Sequence, residues 1–139
     1  MRSDKVRRAF LLLPALMFLA IAAGSAVAPH VMAAGLGYRL ESIDALSEFR
    51  AVYVGVWSAT AALLLIAAWR ISHALLGDLG AIFILGQTGG RVLSLVVDGL
   101  PSGRVWPLLL LEALGGLAIL AVRPDRPEPP PGQAPIAGA

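Results

Sequence analysis

Charged residues leave this chain for long stretches and return in short clusters. After Arg2, Lys5, Arg7 and Arg8, no Lys, Arg, Asp or Glu occurs from Ala9 to Tyr38. Apolar residues fill that run instead of marking one stripe, the pattern of a helix apolar on all sides. A bilayer-crossing helix needs ~20 such residues, and we expect a span at 10–33. Pro14 falls in its first turns, where the missing N–H costs least, and Pro29 and His30 fall near its far end. Ala26-Val27-Ala28 has the small-x-small form of a signal-peptidase site. The run is long for a signal core, however, and a proline would follow the cut, so an uncleaved span is the reading adopted.

The next segment, 35–49, is mixed. Leu40, Ile43, Leu46 and Phe49 recur every three residues among Arg39, Glu41, Asp44 and Glu48. That spacing suits a short interfacial helix or an early start of the second span, capped by Ser42 or Asp44. Three more apolar runs follow, at 51–69, 74–97 and 105–122, separated by Arg70-Ile71-Ser72-His73 and by the turn-rich Asp98-Gly99-Leu100-Pro101-Ser102-Gly103-Arg104. From Arg123 onward prolines dominate, and such a segment can neither form helix nor bury a core. The expected fold is therefore all-α: a four-helix transmembrane bundle over 1–122 with a disordered, Pro-rich tail over 123–139.

Composition agrees with the pattern. Hydrophobic residues make up 58% of the 139 residues and charged residues 14%, whereas a soluble domain carries about 25% charged residues. With no cysteine, disulfides, thiolate metal sites and cysteine nucleophiles are excluded. The net charge is only +2, so nucleic acid is not an expected partner; the bilayer is. Four spans would put Arg2, Lys5, Arg7, Arg8, Arg70, Arg123 and Arg126 on one side, and Arg39, Arg50 and Arg104 on the other. The positive-inside rule then places both termini in the cytoplasm.

Two charges stand alone inside apolar runs: Arg91 in the third and Glu112 in the fourth. Counting helical rises from the intervening loop puts each about 10 Å inside the bilayer boundary. An unpaired charge there costs at least ~2.5–3.5 kcal/mol on insertion scales, so the matched depth invites an ion pair. Gln87, Arg91, Ser94 and Asp98 share one helical stripe, and Arg50, Tyr53 and Trp57 share a face of the second helix. From these we expect a polar pocket of Arg50, Tyr53, Gln87, Arg91 and Glu112 in the outer half, with Glu48 and Asp98 as interfacial polar residues. The bland alternative is a structural pair that fixes helix register. Gly86 and Gly90 form a G-x-x-x-G, and Gly115-Gly116 lie in the last run; all four are expected to serve helix packing.

Enzyme signatures are lacking. His30 and His73 fall at opposite ends of the expected bundle, no acidic cluster has metal-ligand spacing, and no nucleophile elbow or phosphate loop occurs. Neither a cofactor nor a metal is expected, and the chain reads as non-enzymatic.

Glu48-Phe49-Arg50-Ala51-Val52-Tyr53-Val54-Gly55, Gly90-Arg91-Val92-Leu93-Ser94 with Asp98-Gly99, and Glu112 together carry a family resemblance. They resemble the E-x-R-x-x-Y-x-G and G-R-x-x-S-x-x-x-D-G elements and the last-span glutamate of the DUF4345 family. Where that pattern usually has paired glycines after the tyrosine, this chain has Val54-Gly55. The resemblance implies a small, mostly bacterial type of four-span membrane protein and supplies no activity; the expected location is a bacterial cytoplasmic membrane. The leading functional expectation is binding of a small anionic or lipid-headgroup ligand at Arg91. The alternative is a scaffold or accessory subunit binding another membrane protein or a second copy through glycine-rich faces. A transporter or channel ranks last, because the inner half offers only Asp78.

Overall fold

The structure, a computed structural model, describes residues 2–101, 103 and 105–124. The expected tail lies almost entirely outside the described residues. The described residues form helices α1 (Arg2–Val27), α2 (Pro29–Gly35), α3 (Ile43–Arg50), α4 (Trp57–Trp69), α5 (Ala74–Val97) and α6 (Val105–Ala121), with a π-helical segment, Ala51–Val56, joining α3 to α4. Three helical stretches are long and apolar enough to cross a membrane: Asp4–Val27, Ile43–Trp69 and Ala74–Val97. Helix α6 has 17 residues, at the short end of the spanning range.

The first helix sits earlier than the expected 10–33. It begins at Arg2 and ends at Val27, because the residue before a proline is pushed out of the α region. Ala28 duly has φ −132° and ψ 61°, and Pro29 opens the short α2, where its missing N–H is harmless. The second helix starts before 51. Ser42 caps α3 by accepting a 3.0 Å hydrogen bond from the Ala45 N–H. From Ile43 the helical backbone runs without a break through the π segment to Trp69.

One seam holds the core. Leu11, Ala15, Phe18 and Ala22 on α1 face Trp57, Ala61, Leu64 and Ala68 on α4, both sets following i, i+4, i+7, i+11. The alternating alanines let the backbones approach, and Phe18 meets Trp57 edge-on at 5.2 Å between ring centroids. Helix α5 closes on α4 at Gly80, where a Cβ would lie 2.5 Å from Leu64 Cδ2, and α6 closes on α5 at Gly116, where it would lie 2.6 Å from Leu85 Cγ. The longer helices thus form two close pairs, α1 with α4 and α5 with α6, joined mainly through α4 and α5, while α1 and α6 touch lightly.

These contacts revise the packing expected of the glycines. Gly116 lies against Leu85 of α5, but a Cβ at Gly86, Gly90 or Gly115 would meet nothing within 4 Å. The G-x-x-x-G spacing defines a face without saying which way it turns. Gly77, Gly80, Ala81 and Ile84 form the buried face of α5, leaving Gly86 and Gly90 exposed.

Candidate functional site

Arg91 and Glu112 are brought together by the close contact of α5 and α6. Arg91 Nε donates to Glu112 Oε2 at 2.7 Å and Nη2 donates to Oε1 at 2.9 Å. This is the two-point, charge-assisted geometry that suits a guanidinium and a carboxylate. The partners are unequally buried: the Arg91 side chain is 23% exposed and that of Glu112 only 2%. Glu112 therefore holds the arginine from behind. Arg91 Nη1 makes no hydrogen bond among the described residues.

Arg91 lies in the wall of a cavity of about 480 Å³ between the π segment, α5 and the start of α6. Its polar lining is Tyr38, Tyr53, Gln87, Arg91 and Ser94, and its apolar lining includes Val56, Trp57, Phe83 and Leu109. The mixture of an apolar wall with a few convergent polar groups is typical of small-molecule pockets. An aromatic column forms one side. Tyr53 stacks on Phe49 at 4.4 Å, meets Trp57 at 5.0 Å, and shares a 3.4 Å hydroxyl–hydroxyl hydrogen bond with Tyr38.

Of the residues proposed from sequence, Tyr53, Gln87 and Arg91 line this cavity, whereas Arg50 and Glu112 do not. Arg50 is exposed and outside the lining. Its expected place above Tyr53 assumed a regular α-helix, and the π segment begins immediately after it. Within the segment the wider i→i+5 winding sets Tyr53 further round the helix from Arg50 than regular α winding would. Glu48 is exposed, and Asp98, which ends α5, accepts a 2.8 Å hydrogen bond from the Ser94 hydroxyl. Tyr38 belongs to the lining but has no periodic signal in the sequence, since it sits in the non-helical stretch after α2.

A second polar cluster lies at the opposite end of the bundle. Arg7 is 2% exposed, its Nη1 donates to the Val122 carbonyl at 3.1 Å, and its Nε and Nη2 are buried without a hydrogen-bond partner. Gly77 makes room for it, since a Cβ there would lie 2.6 Å from Nη2. Close by in sequence, Asp78 Oδ2 pairs with Arg123 Nη2 at 3.0 Å. Arg7 had the look of one more flanking cation; it is instead the head of the buried stripe that continues through Leu11, Ala15 and Phe18. Among the described residues no three His, Cys, Asp or Glu side chains gather in a group able to hold a metal ion.

The described residues and this site define an all-helical protein, three of whose helices are long and apolar enough to cross a membrane, with a part-buried arginine–glutamate pair behind a part-polar cavity. Residues 6–122 match the family model described as a domain of unknown function, DUF4345, and the chain belongs to that family. No curated protein and no solved structure matches it.

Proposed function

We propose that this chain is a non-enzymatic, four-span protein of a bacterial cytoplasmic membrane, with both termini inside, that binds a small anionic group at Arg91. The anion is a small acid or a lipid headgroup. In this reading α6 is the fourth span and the cavity opens toward the outer leaflet, as the distribution of Lys and Arg suggests. The observation that carries it is the division of labour within one guanidinium. Its Nε–Nη2 edge is taken by Glu112, while Nη1 is left for a ligand in the cavity wall. Glu112 fixes the orientation and, by neutralising the arginine, keeps affinity modest. The π segment supports the reading, because π turns inside α-helices recur at functional sites, and this one carries Val52, Tyr53 and Val56 into the lining.

The test is the small-molecule content of detergent-purified protein. Arg91→Ala and the neutral double variant Arg91→Met/Glu112→Gln should fold yet lose a co-purifying molecule that the wild type retains. Equal content in all three proteins would sink the reading.

A second reading has its own support. Gly86 is exposed, with open space where a Cβ would sit, the arrangement a close helix contact with another membrane protein or a second copy would need. Under that reading the chain is a scaffold or accessory subunit, and Gly86→Leu should disperse a complex that the wild type keeps in mild detergent. Transport receives less support: Leu11, Leu64, Ala81, Ile84 and Ile119 belong to one buried apolar cluster, which does not favour a polar path between the helices.

A further inference from the structure

The light contact between α1 and α6 leaves a groove of about 580 Å³. Phe10, Leu13 and Met17 form one wall, and Leu111, Leu114 and Ala118 the other. The charged residue in the lining is Glu112, both of whose carboxylate oxygens are already held by Arg91. A water or a polar headgroup would therefore find almost nothing to hydrogen-bond within the groove. Leu13, Leu111 and Leu114 are also exposed on the outer surface, so the groove is continuous with the apolar face that the membrane reading gives to lipid.

Its length and its charged end narrow the occupant. Along α1 the lining runs from Ala9 to Phe18, about 13 Å at helical rise, close to the ~15 Å that is half of a bilayer's hydrocarbon core. The Arg7–Val122 hydrogen bond fixes the antiparallel register of the two helices. Equal rises from there bring Phe18 level with Leu111, so the groove starts at the end carrying the N-terminal cations and stops near mid-span. At that end Lys5 lies one turn before Ala9 on the same helical face and is exposed; Arg123, beyond α6, pairs through Nη2 with Asp78 but its side chain is still 60% exposed. We propose that this groove holds one acyl chain of an anionic phospholipid from the leaflet at the N-terminal end, with its phosphate beside Lys5 and Arg123. Charge complementarity selects the headgroup and length selects the chain. The site rests on the membrane reading of the helices and is independent of what binds at Arg91.

Gly115 offers a direct way to fill the groove. It lies in the lining, and a Cβ there would meet nothing within 4 Å, so Gly115→Leu places a side chain where the acyl chain would lie without displacing protein. The test is native mass spectrometry of the full chain in mild detergent, titrated with phosphatidylglycerol and, separately, phosphatidylcholine. The wild type should hold one phosphatidylglycerol, with phosphatidylcholine about tenfold weaker. Gly115→Leu should weaken phosphatidylglycerol about tenfold or more, since several methylenes lose their contacts, while melting at or above the wild-type temperature. Ala118→Leu fills the same groove and replaces it should Gly115→Leu not fold. Lys5→Glu should remove the preference for phosphatidylglycerol and leave phosphatidylcholine unchanged. A wild type without a bound lipid, a filled groove that binds as the wild type does, or an unaltered preference in Lys5→Glu would each overturn the proposal. Gly115 is outside the Arg91 cavity, so the co-purifying molecule expected there should persist in Gly115→Leu, which separates the two sites.

Discussion

Arg7 and Arg91 are both arginines within long apolar helices, and the protein accommodates them by opposite means. Arg91 has a dedicated carboxylate, engaged at two points, and remains partly open to a cavity. Arg7 is almost fully enclosed, gives one hydrogen bond to the carbonyl of Val122, and keeps its Nε and Nη2 unpartnered. Val122 directly follows α6, so Arg7 places its charge at a helix C-terminus, where the aligned peptide dipoles present partial negative charge. The difference separates two uses of a buried cation. One is held rigidly by a side chain that could be exchanged for another, with a donor left over; the other fastens helix ends together and has no opening to a ligand.

The sharpest way to break this comparison is to remove the private carboxylate. Glu112→Ala strands Arg91 beside the core, and removal of one partner of a buried pair costs about 3–5 kcal/mol. Denaturant unfolding in detergent should show that loss, and Arg91→Met/Glu112→Leu should recover most of it, because apolar residues of similar volume replace buried pairs at little cost. At the other end, steric room matters more than pairing. Gly77→Ala puts a methyl 2.6 Å from Arg7 Nη2; the enclosed arginine must shift, so the change should cost up to about 2 kcal/mol, overpacking less the helix propensity that alanine gains. Gly86→Ala, on the same helix with open space around it, should be neutral or stabilise by up to about 1 kcal/mol through helix propensity. Arg7→Met loses a charge-assisted hydrogen bond but also removes two unpartnered nitrogens, so its cost should stay below about 2 kcal/mol, well under that of Glu112→Ala. The smallest expected loss is that of Tyr53→Phe. The 3.4 Å hydroxyl contact with Tyr38 is long and exposed, and its loss should shift unfolding by no more than about 0.5 kcal/mol.

What could be read from the sequence tracks how local each determinant is. Helix positions follow from runs of apolar residues, and the depth of Arg91 and Glu112 follows from counting rises on either side of a short loop. Both are one-dimensional properties. The break at Ala28 depends on Pro29, but apolar residues continue through it, so the apolar run by itself extends beyond the end of the first helix. The π segment has no comparable signature: Ala51–Val56 reads as ordinary helix, yet it turns Arg50 away from the face of Tyr53. Arg7 was hidden for a different reason. Surrounded by Arg2, Lys5 and Arg8, it looks like one of a solvated cluster, and only its register with Leu11 marks it as inward-facing. The glycines show the same limit, since Gly77 and Gly86 differ in tertiary surroundings and not in local sequence.

The pairing of Arg91 with Glu112 supports both the candidate pocket and the contrast with Arg7, and charge reversal tests it most directly. Unfolding would be measured for the wild type, Arg91→Glu, Glu112→Arg and the double exchange. A coupled pair makes each single reversal strongly destabilising, because it sets like charges together in a low-dielectric site, and the double exchange should regain most of the lost stability. Single variants as stable as the wild type, or a double exchange whose loss equals the sum of the two singles, would contradict it.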